Sequence, residues 1–221
     1  MTQSVHPPVE EYLEAIHELL EEGSQVIQAR LVERLHHTAP TVSEMVRRLK
    51  EEGYLQVDGR AITLTDKGTE TAAGVVRKHR LAERLLTDII GLEWHKAHME
   101  AGRWEHVISD EVEALLIKLL DNPQTCPHGN PIPGTHGRRE HLAQLTDSEP
   151  GEHVRLARIT EHVELDFDSL AYLSNHGFIP GACAIVTSKA PDGTLVLELD
   201  AGEGSIALGP ALAANLYVAA A

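Results

Sequence analysis

The 221-residue sequence contains no run of about 18 apolar residues, so no membrane span is expected. It also opens without a basic, apolar, small-residue signal, which makes secretion unexpected and the cytoplasm the expected location. Cysteine is scarce: Cys126 and Cys183 are too few for a disulfide framework and too far apart for a zinc ribbon. Basic residues are few as well. Nineteen Lys and Arg against 34 Asp and Glu give a net charge of −15, which argues against a nonspecific polyanion binder. Catalytic signatures are missing too: H-E-x-x-H, a zinc-deaminase pattern, G-x-S-x-G and a P-loop are all absent, and no catalytic residue is assigned.

What is present is unevenly distributed. Residues 1–84 carry 11 Lys and Arg against 14 Asp and Glu, and the remainder carries 8 against 20, so the basic residues concentrate in the first part. After Pro7-Pro8, apolar residues from Val9 to Leu20 recur at helical spacing until Gly23. Shorter helical patterns follow at Leu31–Leu35 and Val42–Leu49, the latter preceded by Thr38-Ala-Pro40-Thr41 and ended by Gly53. Two apolar runs then flank Asp58-Gly59, a hairpin cue, with Arg60 near the tip. Together these read as a winged helix-turn-helix for double-stranded DNA. Thr38, Pro40, Thr41, Ser43 and Glu44 would sit at the start of the recognition helix, toward base edges. Arg30, Arg47, Arg48, Lys50 and Arg60 would hold phosphates.

From Thr65 a long helical pattern runs to Gly91, and Ser109–Leu120 forms another. Their apolar stripe exceeds what one winged helix would cover, which suggests a dimer interface. Between them lies His95-Lys-Ala-His98-Met-Glu-Ala-Gly102-Arg-Trp-Glu105-His106. His98, Gly102, Glu105 and His106 fall at i, i+4, i+7 and i+8, so on one helix they share a stripe that can hold a metal. Upstream, His79 and Glu83 repeat the i, i+4 spacing, and Glu11 and Glu14 sit on the first helix. Glu11, His79, Glu83, His98, Glu105 and His106 supply only oxygen and imidazole, a donor set suited to Mn²⁺. Residues 123–151, rich in Pro, Gly and polar residues, read as loop and linker. Beyond them, Val154–Ile159, Gly181–Val186 and Thr194–Leu199 have strand composition, which predicts a small barrel.

Three long segments carry a resemblance: Arg77–Leu92, Arg103-Trp-Glu-His106 with Ser109-Asp-Glu-Val-Glu113, and Cys126-Pro-His-Gly-Asn-Pro-Ile-Pro133. They closely resemble the DtxR/MntR family of metal-dependent transcriptional repressors over almost the whole chain. The resemblance implies a mainly α fold with a small β module: a winged helix-turn-helix at 1–73, a helical metal-binding and dimerisation domain at 74–141, a linker at 142–152 and an SH3-like, FeoA-like barrel at 153–221. It implies a homodimer with two metal sites per subunit. One would use His79, Glu83 and His98, joined by Glu161 and Glu164 from the barrel. The other would use Glu11, Glu105 and His106. Arg80 and Asn130 match positions that bind an anion in some members.

Two positions depart from the family pattern. Where the iron-sensing branch has Met and Cys, and the manganese branch Asp and Glu, this chain has Glu11 and Gly102. Gly102 offers only a carbonyl, so Glu14 or water would complete that site. The expectation is a repressor of metal-uptake genes at palindromic operators, activated by Mn²⁺, with Fe²⁺ as the alternative and Co²⁺, Zn²⁺ or Cd²⁺ as substitutes in vitro. The metal would fix the DNA-binding part against the dimer scaffold, setting the recognition helices about 34 Å or a multiple apart. The rival classes are a metallohydrolase, a redox regulator working through Cys126 or Cys183, and an interaction protein using the barrel.

Overall fold

The computed structural model of the chain describes residues 7–135, 140–200 and 204–221. Helix α1 (Pro7–Glu21) turns one face inward, burying Val9, Tyr12, Leu13, Ile16 and Leu19 at helical spacing. Helices α2 (Gln28–Leu35) and α3 (Ala39–Glu51) follow. The Thr38 hydroxyl caps α3 by accepting from the Thr41 N–H, and Pro40 occupies the first turn, where its missing N–H costs nothing. Strands β1 (Leu55–Asp58) and β2 (Ala61–Leu64) pair with Asp58 opposite Ala61, so the turn residues are Gly59 and Arg60, one place later than the Asp58-Gly59 cue. Gly59 alone has a positive φ, +58°, as a type II′ turn requires. One core joins α1 to α3 and the wing through Leu13, Ile16, Val42, Val46, Leu49 and Ile62.

Helix α4 (Asp66–Arg84) crosses the expected domain boundary at residue 73 unbroken. It does not stay regular to Gly91: Leu85–Ile90 form a π-helical turn before Gly91 ends the element at φ +78°. The next helix is shorter than its stripe implied. A 3-10 turn at Trp94–Lys96 leads into α5 (Ala97–Ala101), and residues 102–107 are turns. The Glu105 N–H still reaches the Ala101 carbonyl at 3.1 Å, so those turns keep a helical sense. Helix α6 (Asp110–Leu119) starts at the Ser109 cap. This layer has two small cores, Leu81 with Leu116 and Ile132, and Ala82 with Leu86 and Ala101. Ile89, Ile90, Met99, Leu115 and Leu119 stay exposed, an apolar surface left for a partner.

The last part holds β3 (Ala143–Gln144), β4 (His153–Ile159), α7 (Glu161–Glu164), α8 (Phe167–Asn175), β5 (Cys183–Lys189), β6 (Leu195–Leu199), β7 (Ser205–Leu208), α9 (Pro210–Ala213) and β8 (Leu216–Ala220). The strands form one antiparallel sheet in the order β3-β8-β4-β5-β6-β7. Irregularities at Leu156/Arg158 and Val186/Ser188 bend it around a core of Leu156, Ile159, Val186, Leu197 and Val218. The linker reading of 142–152 needs correction. Ala143 and Gln144 pair with β8, and Leu145 is fully buried in the same core, so the sheet begins there. A two-residue strand has no periodicity for a sequence reading to detect.

Candidate metal centre

Six segments converge where α1, α4 and the last part meet. On α1, Glu10, Glu14, Glu18 and Glu21 fall at i, i+4, i+8 and i+11 and form one acidic stripe. Helix α4 presents His79 and Glu83, α5 presents His98, the turns after it present Glu105 and His106, and α7 presents Glu161 and Glu164. The loop after α6 inserts Cys126 and His128, both buried. That loop is held by the Cys126 N–H, which donates to the Asn130 carbonyl at 2.8 Å, by the Gly129 N–H, which donates to the Cys126 carbonyl at 3.0 Å, and by the Ile159 N–H, which donates to the His128 carbonyl at 2.9 Å.

His79 stands at the centre. Its Nδ1 lies 2.5 Å from Glu105 Oε2 and 3.9 Å from Glu14 Oε1, and its Nε2 lies 3.0 Å from His98 Nδ1 and 3.3 Å from Glu83 Oε1. His98 Nδ1 is 3.1 Å from Glu164 Oε2 and 3.7 Å from Glu161 Oε2. His128 Nδ1 is 3.0 Å from Glu164 Oε2 and 3.2 Å from Glu83 Oε1. Among the described residues four overlapping donor groups result, each with its ligand atoms within 4.8 Å of one another: Glu14/His79/Glu105, His79/Glu83/His98, His98/Glu161/Glu164 and Glu83/Cys126/His128/Glu164.

The chemistry of this set fits a cation. Buried and without a hydrogen-bond partner are Glu83 Oε2, Glu161 Oε2, Glu164 Oε2 and both ring nitrogens of His128; the close carboxylates lie off its hydrogen-bond directions. Orphaned polar atoms of this kind are costly, and a shared cation would satisfy them together. The charge balance agrees. Burial pushes the Glu14 carboxyl well above its ordinary range, with Glu105 adding to it, and burial together with Glu161 takes Glu18 to about 8. Burial opposes charge on His98, yet Glu164 and Glu83 hold its pKa up at about 10. His79 and His128 are raised likewise, against burial, by their carboxylate neighbours. The metal-free cluster therefore compensates its carboxylates with imidazolium protons, which a divalent ion would displace. Burial and Glu83 push the Cys126 thiol up to about 12, and coordination would deprotonate it.

The structure brings His79, Glu83, His98, Glu161 and Glu164 together. It divides the second expected set. Glu105 faces His79 and Glu14, and His106 instead bonds Glu10 at 2.7 Å while staying 3.1 Å from Glu105 Oε1. Glu11 does not join His106: it is an exposed residue on the rim of a cavity of about 280 Å³ that Glu14, His79, Gly102 and Glu105 also line. The reason is helical phase: Glu11 follows Glu10 by about 100° around the helix, so where Glu10 takes the direction of His106 Glu11 falls at the outer edge of the stripe. Gly102 ends α5 at the cavity wall, and a Cβ there would meet only backbone oxygen at 3.8 Å. Arg80 and Asn130 meet carboxylates of the chain itself where an anion was expected: Arg80 bonds Glu21 and Glu161, and Asn130 bonds Glu164. Sequence reading left out Cys126 and His128 as donors, so a set supposed to lack sulfur has a thiol within reach. The one signal was two ligand-type residues two apart inside a stretch read as loop.

Away from this cluster, the residues expected to face DNA are exposed. Thr38, Pro40, Thr41, Ser43, Glu44 and Lys50 are exposed on or before α3, with Arg30 on α2 and Arg60 at the wing tip. Arg47 and Arg48 pair with Glu51 and Glu52 one turn along, at 2.8 and 2.6 Å. Exposed pairs of this type hold weakly and can yield to phosphate.

Comparison with known proteins matches each part of the chain. Family models described as the iron dependent repressor N-terminal DNA binding domain, the iron dependent repressor metal binding and dimerisation domain, and the FeoA domain match residues 5–61, 65–134 and 143–220. The iron-dependent repressor IdeR of Mycobacterium leprae is 43% identical over 206 residues, 88% of this chain and 89% of that protein. The diphtheria toxin repressor of Corynebacterium diphtheriae is 53% identical over 126 residues, 57% of this chain and 56% of that protein. A solved manganese-dependent transcriptional repressor in complex with manganese superposes with a TM-score of 0.86 at 31% identity, covering 96% of this chain and 100% of that one.

Proposed function

The chain belongs to the DtxR family of metal-dependent transcriptional repressors, and on that premise we propose that Fe²⁺ is the ion to which it responds, at palindromic operators of metal-uptake genes. Its relatives are repressors rather than enzymes, and it acts on operator DNA as a homodimer with a divalent metal. The observation that carries the iron reading is Cys126, whose sulfur joins Glu83, His128 and Glu164 in one buried donor group. A thiolate favours ions softer than Mn²⁺, and Fe²⁺ lies above Mn²⁺ in intrinsic affinity for such sites. The similarity to iron-dependent repressors supports the same choice. Manganese is the second reading. It rests on the sulfur-free group Glu14/His79/Glu105 and on the likeness to a manganese-dependent repressor.

When bound, the metal supplies positive charge where carboxylates from several elements converge. Each residue then has a separate task. Glu14 brings α1 to the cluster, His79 and Glu83 bring α4, His98 and Glu105 bring α5 and the turns after it, and Glu164 brings the last part. Because α1 and α3 share one core, orienting α1 orients the recognition helix.

Cys126→Ser tests the choice of metal. Under strictly anaerobic, metal-buffered conditions we expect it to lower Fe²⁺ affinity by at least about 10- to 100-fold, the range for outer-shell partners, while sparing Mn²⁺ affinity. Co²⁺-loaded protein should lose its near-ultraviolet thiolate absorption in parallel. An unchanged ratio of Fe²⁺ to Mn²⁺ affinity would sink the iron reading in favour of manganese.

A further inference from the structure

Arg80 is only 1% exposed, and from α4 it reaches each other part of the molecule. Its Nη1 and Nη2 form a two-pronged pair with Glu21 on α1, at 3.2 and 2.6 Å. Nη2 also donates to Glu161 Oε1 on α7 at 2.9 Å, and Nη1 donates to the Pro131 carbonyl. Burial opposes the charge on this guanidinium, and Glu161 and Glu21 together overcome that opposition. Both Nη groups of Arg80 are thus engaged by acceptors of the chain itself. It is a strut between domains.

Resting on the metal-dependent repressor reading, we propose that Arg80 is a positioning residue through which the state of Glu161 is conveyed to the DNA-binding part. Glu161 divides its two oxygens: Oε1 accepts from Arg80, while Oε2 has no hydrogen-bond partner and belongs to the His98/Glu161/Glu164 group. The His98/Glu161/Glu164 group would hold a cation while Oε1 stays on Arg80, so fixing Glu161 would fix the guanidinium. The guanidinium in turn holds the end of α1 through both oxygens of Glu21, a geometry that sets angle as well as distance. On its other flank α1 is tied to α2 by Arg34, which donates to Glu18 at 3.1 Å and to Glu22 at 2.7 Å. Helix α1 is thus braced between the α4–α7 junction and the helix-turn-helix, and it shares its core with α3. Coupling of this kind is reciprocal: operator binding would tighten the hold on Glu161 as metal tightens the hold on operator.

Glu21→Gln tests the strut without touching any residue of the four donor groups. We expect the full-length variant to bind the same number of Co²⁺ ions, with affinity within about twofold of the parent. It should nevertheless need about tenfold more free Co²⁺ for half-maximal operator binding, within the usual range of allosteric coupling. In hydrogen exchange, the protection that Co²⁺ confers on α1 should be lost while that around α5 is kept. Arg80→Gln should behave alike, and the double variant no worse than either single one, because both break the same link. If Arg80→Gln does not fold, Glu21→Gln decides alone. A parental Co²⁺ response at operator together with parental α1 protection in Glu21→Gln overturns the proposal and leaves the repressor reading intact. Absence of any Co²⁺ response in the parent protein overturns the repressor reading instead, and α1 protection on Co²⁺ binding still decides whether the strut exists.

Discussion

At the scale of single residues, protons and metal compete for the same atoms. His98 has a folded pKa of about 10 against an ordinary 6.5, because Glu164 and Glu83 outweigh burial. A histidine raised in this way contributes its full stability below about pH 6.5, and that contribution fades as pH rises through about 10. The metal-free protein should therefore lose melting temperature between about pH 6.5 and about pH 10, and saturating Mn²⁺ should suppress that loss. Metal binding must also expel imidazole protons, so apparent Mn²⁺ affinity should climb about tenfold per pH unit for each proton released. Calorimetry in buffers of different ionisation enthalpy counts those protons, and a pH-independent affinity would contradict the protonated resting state. The same scale explains what could be read in advance. His79 and Glu83 were legible because i, i+4 spacing on a helix fixes a shared face. His128 was not, since a loop has no periodicity and its buried position depends on packing against β4.

Among elements, the loop carrying Cys126 and His128 depends on one glycine. Gly129 has φ +89°, and a Cβ there would lie 2.0 Å from the Ala157 carbonyl oxygen on β4. Close approach of loop to strand lets the Ile159 N–H reach the His128 carbonyl and the Asn130 amide reach the Ile159 carbonyl at 2.9 Å. Gly129→Ala should cost at least about 1–3 kcal/mol from backbone strain alone, read by urea unfolding, and should weaken Co²⁺ binding at the thiol-containing group. Parental stability and a parental thiolate band would show that the loop is not seated in this way. Most helices of the first 120 residues were readable from apolar spacing and from end signals such as Pro40 and Gly53. The exceptions are informative. Helix α5 stops at Ala101 although its stripe continues to His106, and α1 turns Glu10 rather than Glu11 toward His106. Both depend on how one helix is rotated against another, which spacing within a single helix does not fix. The short β3 and the four-residue α7 escaped notice because neither is long enough to show a period.

For the molecule as a whole, the cluster is a meeting point of three folded parts. A winged helix, a helical layer with an uncovered apolar face and a six-stranded sheet each supply carboxylates or imidazoles to one buried volume. Of the four donor groups only His79/Glu83/His98 lies within one part, the helical layer; each of the other three draws on a second part. Together they form a centre whose charge is unbalanced without protons or metal. Net charge of −15 makes the approach to DNA unfavourable overall, so a repressor of this composition depends on orienting its local basic surface as well as on neutralising the cluster. The measurement that bears most directly on this account is anaerobic fluorescence anisotropy of a labelled palindromic operator, titrated with the full-length protein at buffered free Fe²⁺ and again with a chelator. The account predicts saturable binding by pairs of protomers with Fe²⁺, and affinity weaker by at least about 5- to 150-fold with chelator, the range of ordinary allosteric coupling. Equal operator affinity in the two conditions would contradict it.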